Sequence, residues 1–469
     1  MDLPKVMITN PPWIIGGGFL EKRTGVRAGS RWPFTYEASF LALLRNKLKS
    51  KSAQTEAGTN WWKENFKKDP FGTAINLLDT VINRRRYVPY PAFMGYAASY
   101  LTSQGVDVCF YDTIALGHTY KGFFEEVKKF GPEIVIQETS TPSFDVDIRL
   151  ARKLHQEGLE VCLVGPHATA FADDLIKLPF VDYVLKGEYE YSSLQMIESR
   201  QKRVYESERV VDLDTLPYPY RGKEYVPSYR EYCCKKDLDF PQLWVYGGRG
   251  CPYGCKFCLW VHTMYNKKFV LRKPENILAE IDEMLRKYNF KYVLFDDDCW
   301  NLGGNERLLK IADGLRDFGM PWSIMGRLDT CDKETFRYLV DRGCVGFRLG
   351  VESLSQPLLD KTSKGLEVDF ILEMIDFLKK LDVSLYLCFM HYILGETPKD
   401  REIQNRKIEE LGLPYQNPPC IPFPGTPYYQ TVAEEIPELA KITSWSEYDG
   451  GKIGGKLKNI VRRFSEGKD

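Results

Sequence analysis

The chain has 469 residues, more than one compact domain usually holds, so two or three domains are expected. Lys plus Arg and Asp plus Glu are both 64, so the net charge is zero and gives no global argument for binding nucleic acid or an anionic membrane surface. Hydrophobic residues at 43% and charged residues at 27% are an ordinary globular balance, sufficient for real cores. The opening MDLPKVMITNPPW lacks the basic start and apolar core of a secretory signal, and no apolar run approaches the roughly 20 residues that span a bilayer. A cytoplasmic protein without a membrane span is expected. In that compartment clustered cysteines read as metal-binding or catalytic, not as disulfides.

In chain order, KVMITN (5–10) has a buried-strand pattern. About 80 residues then pass before the next regular element, too many for an ordinary connection. This stretch, about 13–90, mixes aromatic and basic residues (WPFTYEASFLALLRNKLKSK, TNWWKENFKKDPF, NRRRY). It reads as a helical insertion with solvated lysines, or as a lid that contacts substrate. PAFMGYAASYLTSQG (91–105) is an amphipathic helix ended by Gly105. VDVCFYD (106–112), PEIVIQE (132–138), EVCLVG (160–165) and DYVLKG (182–187) are strands with helices between them. That alternation predicts a doubly wound α/β, Rossmann-like first domain (1–195) whose ligand sits at the carboxyl ends of its strands. Pro217 and Pro219 disfavour helix in a linker over 196–240. A second strand–helix series follows: QLWVYGG (242–248), KYVLFD (291–296), WSIMG (322–326), CVGFRLG (344–350), SLYLCFM (384–390) and PYQNPPC (414–420). Six such units predict a partial (β/α)6 TIM-like barrel over 241–430, with its site at the C-terminal strand ends and an extension at 431–469.

CPYGCKFC places Cys251, Cys255 and Cys258 directly after the first barrel strand. Three thiolates hold three irons of a [4Fe–4S] cluster and leave the fourth open. His262 extends the run to Cys-x3-Cys-x2-Cys-x3-His, so a closed Cys3His zinc site is the competing reading, and with it a non-catalytic binding protein.

The Cys-x3-Cys-x-aromatic-Cys run resembles the radical S-adenosylmethionine superfamily. FDDDCW (295–300), GRLD (326–329), LGVESLSQPLLDKTSKG (349–365), ILGETPKD (393–400) and PFPGTPYY (422–429) continue the resemblance at successive strand ends. PYPAFMGYAASYL, NPPW, GPHAT, KGEYE and DLDTLPYP are similar to cobalamin-binding members of that superfamily. One departure is the absence of the Asp-x-His-x-x-Gly motif that supplies a histidine to cobalt. His118 stands in LGHTYKG with Leu116 in the aspartate's place, and His167 stands in GPHAT.

The resemblance implies a [4Fe–4S] cluster, S-adenosylmethionine and cobalamin as cofactors. It implies a methyltransferase in which a 5′-deoxyadenosyl radical takes hydrogen from an unactivated carbon of a small-molecule substrate and the methyl comes from methylcobalamin. An electron donor such as flavodoxin or ferredoxin would serve it. A cyclisation or rearrangement without methyl transfer is the alternative within the family; a methylthiotransferase lacks support because its N-terminal cysteine triad is missing.

Cys251, Cys255 and Cys258 are the implied cluster ligands. For S-adenosylmethionine the implied contacts are Asp297 or Asp298 to the methionyl amine, Arg327 to its carboxylate, Glu352 and Ser353 to ribose and methionyl groups, and Phe257 near the adenine. A planar guanidinium suits a carboxylate. Asp297 and Asp298 are alternatively helix caps, and Arg327 is alternatively an ion-pair partner of a barrel-rim acid. For cobalamin the strand-end loops offer Asn10, Pro11, Glu138, Ser140, Thr141, Gly165, Pro166, His167, Gly187 and Glu188. Cys299, Cys388 and Cys420 are candidate proton or hydrogen-atom donors, or buried apolar residues. Cys233 and Cys234 are a redox pair or chance neighbours.

Overall fold

The computed structural model describes residues 3–12, 14–15, 22–23, 88–206, 209–229, 240–437 and 445–448. Nearly all of the predicted insertion, Cys233, Cys234 and most of the C-terminal extension lie outside the described residues.

The first domain is a parallel sheet of β1 (Val6–Thr9), β2 (Val108–Tyr111), β3 (Ile134–Glu138), β4 (Glu160–Val164), β5 (Tyr183–Lys186) and β6 (Arg203–Glu206). The order is β2-β1-β3-β4-β5-β6. β3 is buried throughout, because helices cover both faces of a parallel sheet. These include α1 (Ala92–Ser103), α2 (Tyr120–Phe130), α3 (Phe144–Gln156) and α4 (Glu190–Ser199). Strand order reverses around β1, which puts a crevice at the carboxyl ends of β1 and β3.

β6 lies in the segment expected to be linker, so the first sheet runs past residue 195 to Glu206. It is a four-residue edge strand with Tyr205 alone fully buried, too short and too exposed to show a period of two.

The second domain pairs β7 (Gln242–Val245), β10 (Tyr292–Phe295), β11 (Trp322–Gly326), β12 (Cys344–Glu352), β13 (Ser384–Phe389) and β14 (Tyr415–Gln416) in that order, all parallel. A small antiparallel pair, β8 (Gly248–Gly250) and β9 (Phe269–Leu271), brackets the cysteine loop. Along β12 the side chains alternate: Phe347, Leu349 and Val351 pack outward against the helices, whereas Arg348, Gly350 and Glu352 face the barrel interior.

The two domains share a core. Trp244, Tyr292 and Leu294 from the barrel's first two strands pack with Tyr90, Tyr96 and Met94 of the first domain. α1 packs closely on the Tyr90 ring because Gly95 has no side chain: a Cβ there would stand 1.9 Å from the Tyr90 hydroxyl. Two buried ionic groups cross the junction. Arg249 donates to Glu188 at 2.8 Å and Glu190 at 2.7 Å. Glu280 lies between Arg221 at 2.6 Å and Arg272 at 2.5 Å, and Arg272 reaches the Tyr96 hydroxyl of α1 at 3.5 Å.

Removing one member of a buried ionic group strands the others without a partner. Glu280→Gln is therefore expected to lower unfolding free energy by about 3–5 kcal/mol, seen as an earlier urea transition by circular dichroism. Lys121→Ala, at an exposed helix pair with Glu125, leaves the transition in place.

Candidate active site

The C-terminal strand ends of the two sheets open into one cavity of about 290 Å³. From the barrel it is lined by Cys251, Cys255 and Cys258 together with Arg327, Glu352 and Lys364. From the first domain it is lined by Ser140, Thr141 and Pro142 after β3 and by Pro166 after β4.

The cysteine loop is set by its neighbours. Gly250 has φ +78, and a Cβ there would stand 2.1 Å from the Lys268 carbonyl oxygen, so only glycine fits. The Gly247 and Gly250 amides donate to Asp297 Oδ2 and Asp298 Oδ2, each at 3.0 Å. The Lys256 amide donates to the Thr362 carbonyl at 3.0 Å. All three cysteines thus face one space from a backbone pinned on both sides.

The thiols differ. The Cys299 side chain, hydrogen-bonded to Cys251, holds the Cys251 thiol below its ordinary range. Burial pushes Cys255 up, against the pull of Lys364 and Arg327. Burial pushes Cys258 up to about 12. Metal loading would therefore release protons from the buried thiols.

The Cys3His zinc arrangement is not built. His262 Nε2 is hydrogen-bonded to the Cys255 carbonyl at 3.0 Å. Among the described residues no three His, Cys, Asp or Glu side chains converge as they would on a single ion. The three cysteines line one cavity, an arrangement that suits a cluster taking one thiolate per iron.

The expected S-adenosylmethionine contacts divide. Asp298, Glu352 and Phe257 line the cavity. Glu352 has φ +72 and accepts from Lys364 Nζ at 2.9 Å. Asp297 is turned to the Gly247 amide and does not line the cavity, and neither aspartate caps the next helix, α5 (Asn305–Asp317), which starts from Gly304. Ser353 points away: it is fully buried and donates to Gln404 Oε1 at 2.6 Å. Arg327 lines the cavity, but Asp329 takes its fork at 2.8 Å on both Nε and one terminal nitrogen, so the rim-acid pairing is the one built.

Of the cobalamin candidates, Ser140, Thr141 and Pro166 line the cavity. Asn10 instead ties β1 to the turn after β2 through Asp112 at 3.0 Å and the Thr113 amide at 3.0 Å, with Pro11 half-buried beside it. Glu138 accepts from the Tyr189 hydroxyl at 3.0 Å. Gly165, with φ +101, makes the turn into Pro166, and Gly187 donates to Thr169 Oγ1 at 3.0 Å. Glu188 is spent on Arg249. His167 is core, stacked on Phe144 at 3.9 Å and flanked by Phe171 and Trp445, with Nδ1 3.1 Å from Thr141 Oγ1. His118 is hydrogen-bonded to the Tyr111 hydroxyl.

Cys388 lines the cavity, Cys299 packs against Cys251 and is buried, and Cys420 is buried among Ile421 and Tyr428 outside it. Lys364, Arg348 and Gln416 also line the cavity and were not expected. Arg348 had a signal: a cation inside the apolar strand CVGFRLG, at the same parity as Glu352. Arg348 donates to Gln416 Oε1 at 3.1 Å.

The model of the radical SAM superfamily matches residues 245–405. An uncharacterised methyltransferase of Pyrococcus horikoshii is 24% identical over 396 residues, 79% of this chain and 84% of that one. The hopanoid C-3 methylase of Methylococcus capsulatus is 24% identical over 371 residues, 74% of this chain and 69% of that one. In fold, the chain matches the radical S-adenosylmethionine methyltransferase TsrM of Kitasatospora setae, solved with cobalamin and a [4Fe–4S] cluster, with TM-score 0.57 and 14% identity over 77% of this chain and 78% of that one. The cobalamin-dependent S-adenosylmethionine radical enzyme OxsB gives TM-score 0.57 and 14% identity, over 93% of this chain and 62% of that one. Both share this arrangement of a parallel-sheet domain and a partial barrel. Among the described residues no helix is long and apolar enough to cross a membrane.

Burial lowers His167 from 6.5 to about 3. The folded state thus binds fewer protons than the unfolded one below pH 6.5, and stability is lost as pH falls from 6.5 toward about 3. His167→Phe removes this group's share, about 1.4 kcal/mol per pH unit. The check is unfolding free energy of both proteins between pH 4 and pH 7.

Proposed function

We propose that the chain is a cobalamin-dependent radical S-adenosylmethionine methyltransferase that methylates an unactivated carbon of a small molecule. The observation that carries this reading is the shared cavity: the cysteine triad and the strand-end loops of the first domain line one space. The methyltransferase names of relatives matching three quarters of the chain support the same reaction class.

When bound, the cluster supplies the electron that cleaves S-adenosylmethionine, and cobalamin carries the methyl group to carbon. Cys251, Cys255 and Cys258 hold the cluster. Lys364, a buried ammonium paired with Glu352, offers a cation for a carboxylate, and Asp298 offers an acceptor for an amine. Phe257 supplies an apolar wall for the base. Ser140, Thr141 and Pro166 hold the cobalamin side. Apolar side chains including Leu259, Met325, Phe389, Met390, Ile421 and Phe423 line the cavity beside its charged groups, so that part of the wall offers water no partner. A dry wall protects a reactive carbon radical from side reactions. An external one-electron donor of the flavodoxin or ferredoxin class completes the set.

The test is anaerobic turnover of the full chain reconstituted with iron, sulfide and hydroxocobalamin, with S-adenosylmethionine and dithionite. S-Adenosylhomocysteine is expected from methyl transfer to the added cobalamin once reduced, and 5′-deoxyadenosine from reductive cleavage of S-adenosylmethionine. 5′-Deoxyadenosine alone would sink methyl transfer and favour rearrangement. Cys255→Ser is expected to reduce 5′-deoxyadenosine formation to background, whereas Cys420→Ser, outside the cavity, keeps it within about twofold.

A further inference from the structure

Arg327 lines the cavity where it meets the cysteine loop. It is buried, and its guanidinium is fixed on every side. Nε and one terminal nitrogen hold the Asp329 carboxylate at 2.8 Å each. That same terminal nitrogen donates to the Lys364 carbonyl at 2.9 Å. The other terminal nitrogen stands 3.8 Å from Cys255 Sγ, within reach of an N–H donated to sulfur. The guanidinium lies 3.6 Å over the centre of the Tyr253 ring, inside the same cysteine loop. The backbone is held too: the Arg327 amide donates to Asn301 Oδ1 at 3.1 Å, and Asn301 Nδ2 donates to the Arg327 carbonyl at 2.7 Å.

This geometry has a consequence for electron uptake. Reduction adds an electron to a cluster that its thiolates already make electron-rich. A cation that donates to a ligand sulfur stabilises the reduced form more than the oxidised form. Hydrogen bonds to cluster sulfurs and nearby charge are among the factors that set such potentials. Asp329 offsets part of the charge, but it also fixes the fork so that the remaining edge points at Cys255.

We propose that Arg327 is a positioning residue that raises the reduction potential of the cluster through Cys255, with Asp329 and Tyr253 holding it in place. The inference rests on the cluster reading above. The step it affects is uptake of one electron by the oxidised cluster from an external donor; no bond forms or breaks.

The test uses the full-length chain, reconstituted anaerobically with iron and sulfide and kept free of S-adenosylmethionine. Potentiometric titration with dithionite and mediators is followed by absorbance and by electron paramagnetic resonance of the reduced cluster. At the wild-type midpoint, Arg327→Gln is expected to lower the reduced-to-oxidised ratio at least about tenfold, about 59 mV for a one-electron couple. Arg327→Lys, which keeps the charge and loses the fork, falls between the two. Affinity for S-adenosylmethionine, measured separately by equilibrium dialysis, stays within about twofold of wild type. An unmoved midpoint in both variants overturns the proposal. So does a large loss of S-adenosylmethionine affinity at an unmoved midpoint, which would return Arg327 to the methionyl carboxylate. If Arg327→Gln keeps no cluster, Arg327→Lys at the wild-type midpoint overturns it alone. A wild-type chain that takes up no iron overturns the cluster reading itself, and this shows before any variant is compared.

Discussion

The Arg249 guanidinium, buried between Glu188 and Glu190, fixes how the two halves of the molecule face each other. The carboxylates belong to the end of the first sheet, at the turn after β5 and the start of α4. Arg249 sits on β8, two residues before Cys251. One buried cation therefore sets the distance between the cavity-facing loops of the first domain and the cysteine triad. Charges so deeply buried are tolerated only when paired, so the docking has little freedom to slide. Arg209 adds a second guanidinium to Glu188 at 3.3 Å, and Arg249 also lies over the Phe93 and Tyr96 rings of α1. Phe93 in turn stacks on Trp260, which lines the cavity just past Cys258.

With the halves fixed in that way, the cavity's charge is arranged in local pairs. Lys364 meets Glu352, and Arg327 meets Asp329. Asp297 and Asp298 are turned to backbone amides of the loop that leads into the triad. Each acid on the barrel rim thus has a structural task in the protein alone. Glu352 and Asp298 also line the cavity. Asp297 and Ser353 act from behind the wall.

Much of the architecture was legible because its signals are periodic. Buried four- to six-residue runs separated by amphipathic helices specify two parallel sheets, and the order of motifs placed each loop at a strand end. β6 escaped because four residues with one buried side chain carry no period. The cysteine loop was legible because spacing alone brings Cys251, Cys255 and Cys258 onto one loop. The cobalamin loops were legible as loops but not as side chains. Asn10, Glu138, Glu188 and His167 are polar residues at the right strand ends, yet each is used within the protein, by Asp112, Tyr189, Arg249 and an aromatic box. Which partner wins such a residue depends largely on contacts distant in the chain, which no local pattern encodes. For Arg327 the sequence offered a methionyl carboxylate or a rim acid as partner, and in the protein alone Asp329, two residues on, takes the fork.

The central claim is that one chain holds a cluster and a cobalamin at the two sides of one cavity. Metal analysis of the full-length chain after anaerobic loading with iron, sulfide and hydroxocobalamin, followed by gel filtration, tests it most directly. About four irons and about one cobalt should remain per chain, and replacing Cys251, Cys255 and Cys258 together by alanine should remove the iron while leaving the cobalt. Iron retained without cobalt, or a single zinc in place of both, would contradict the account.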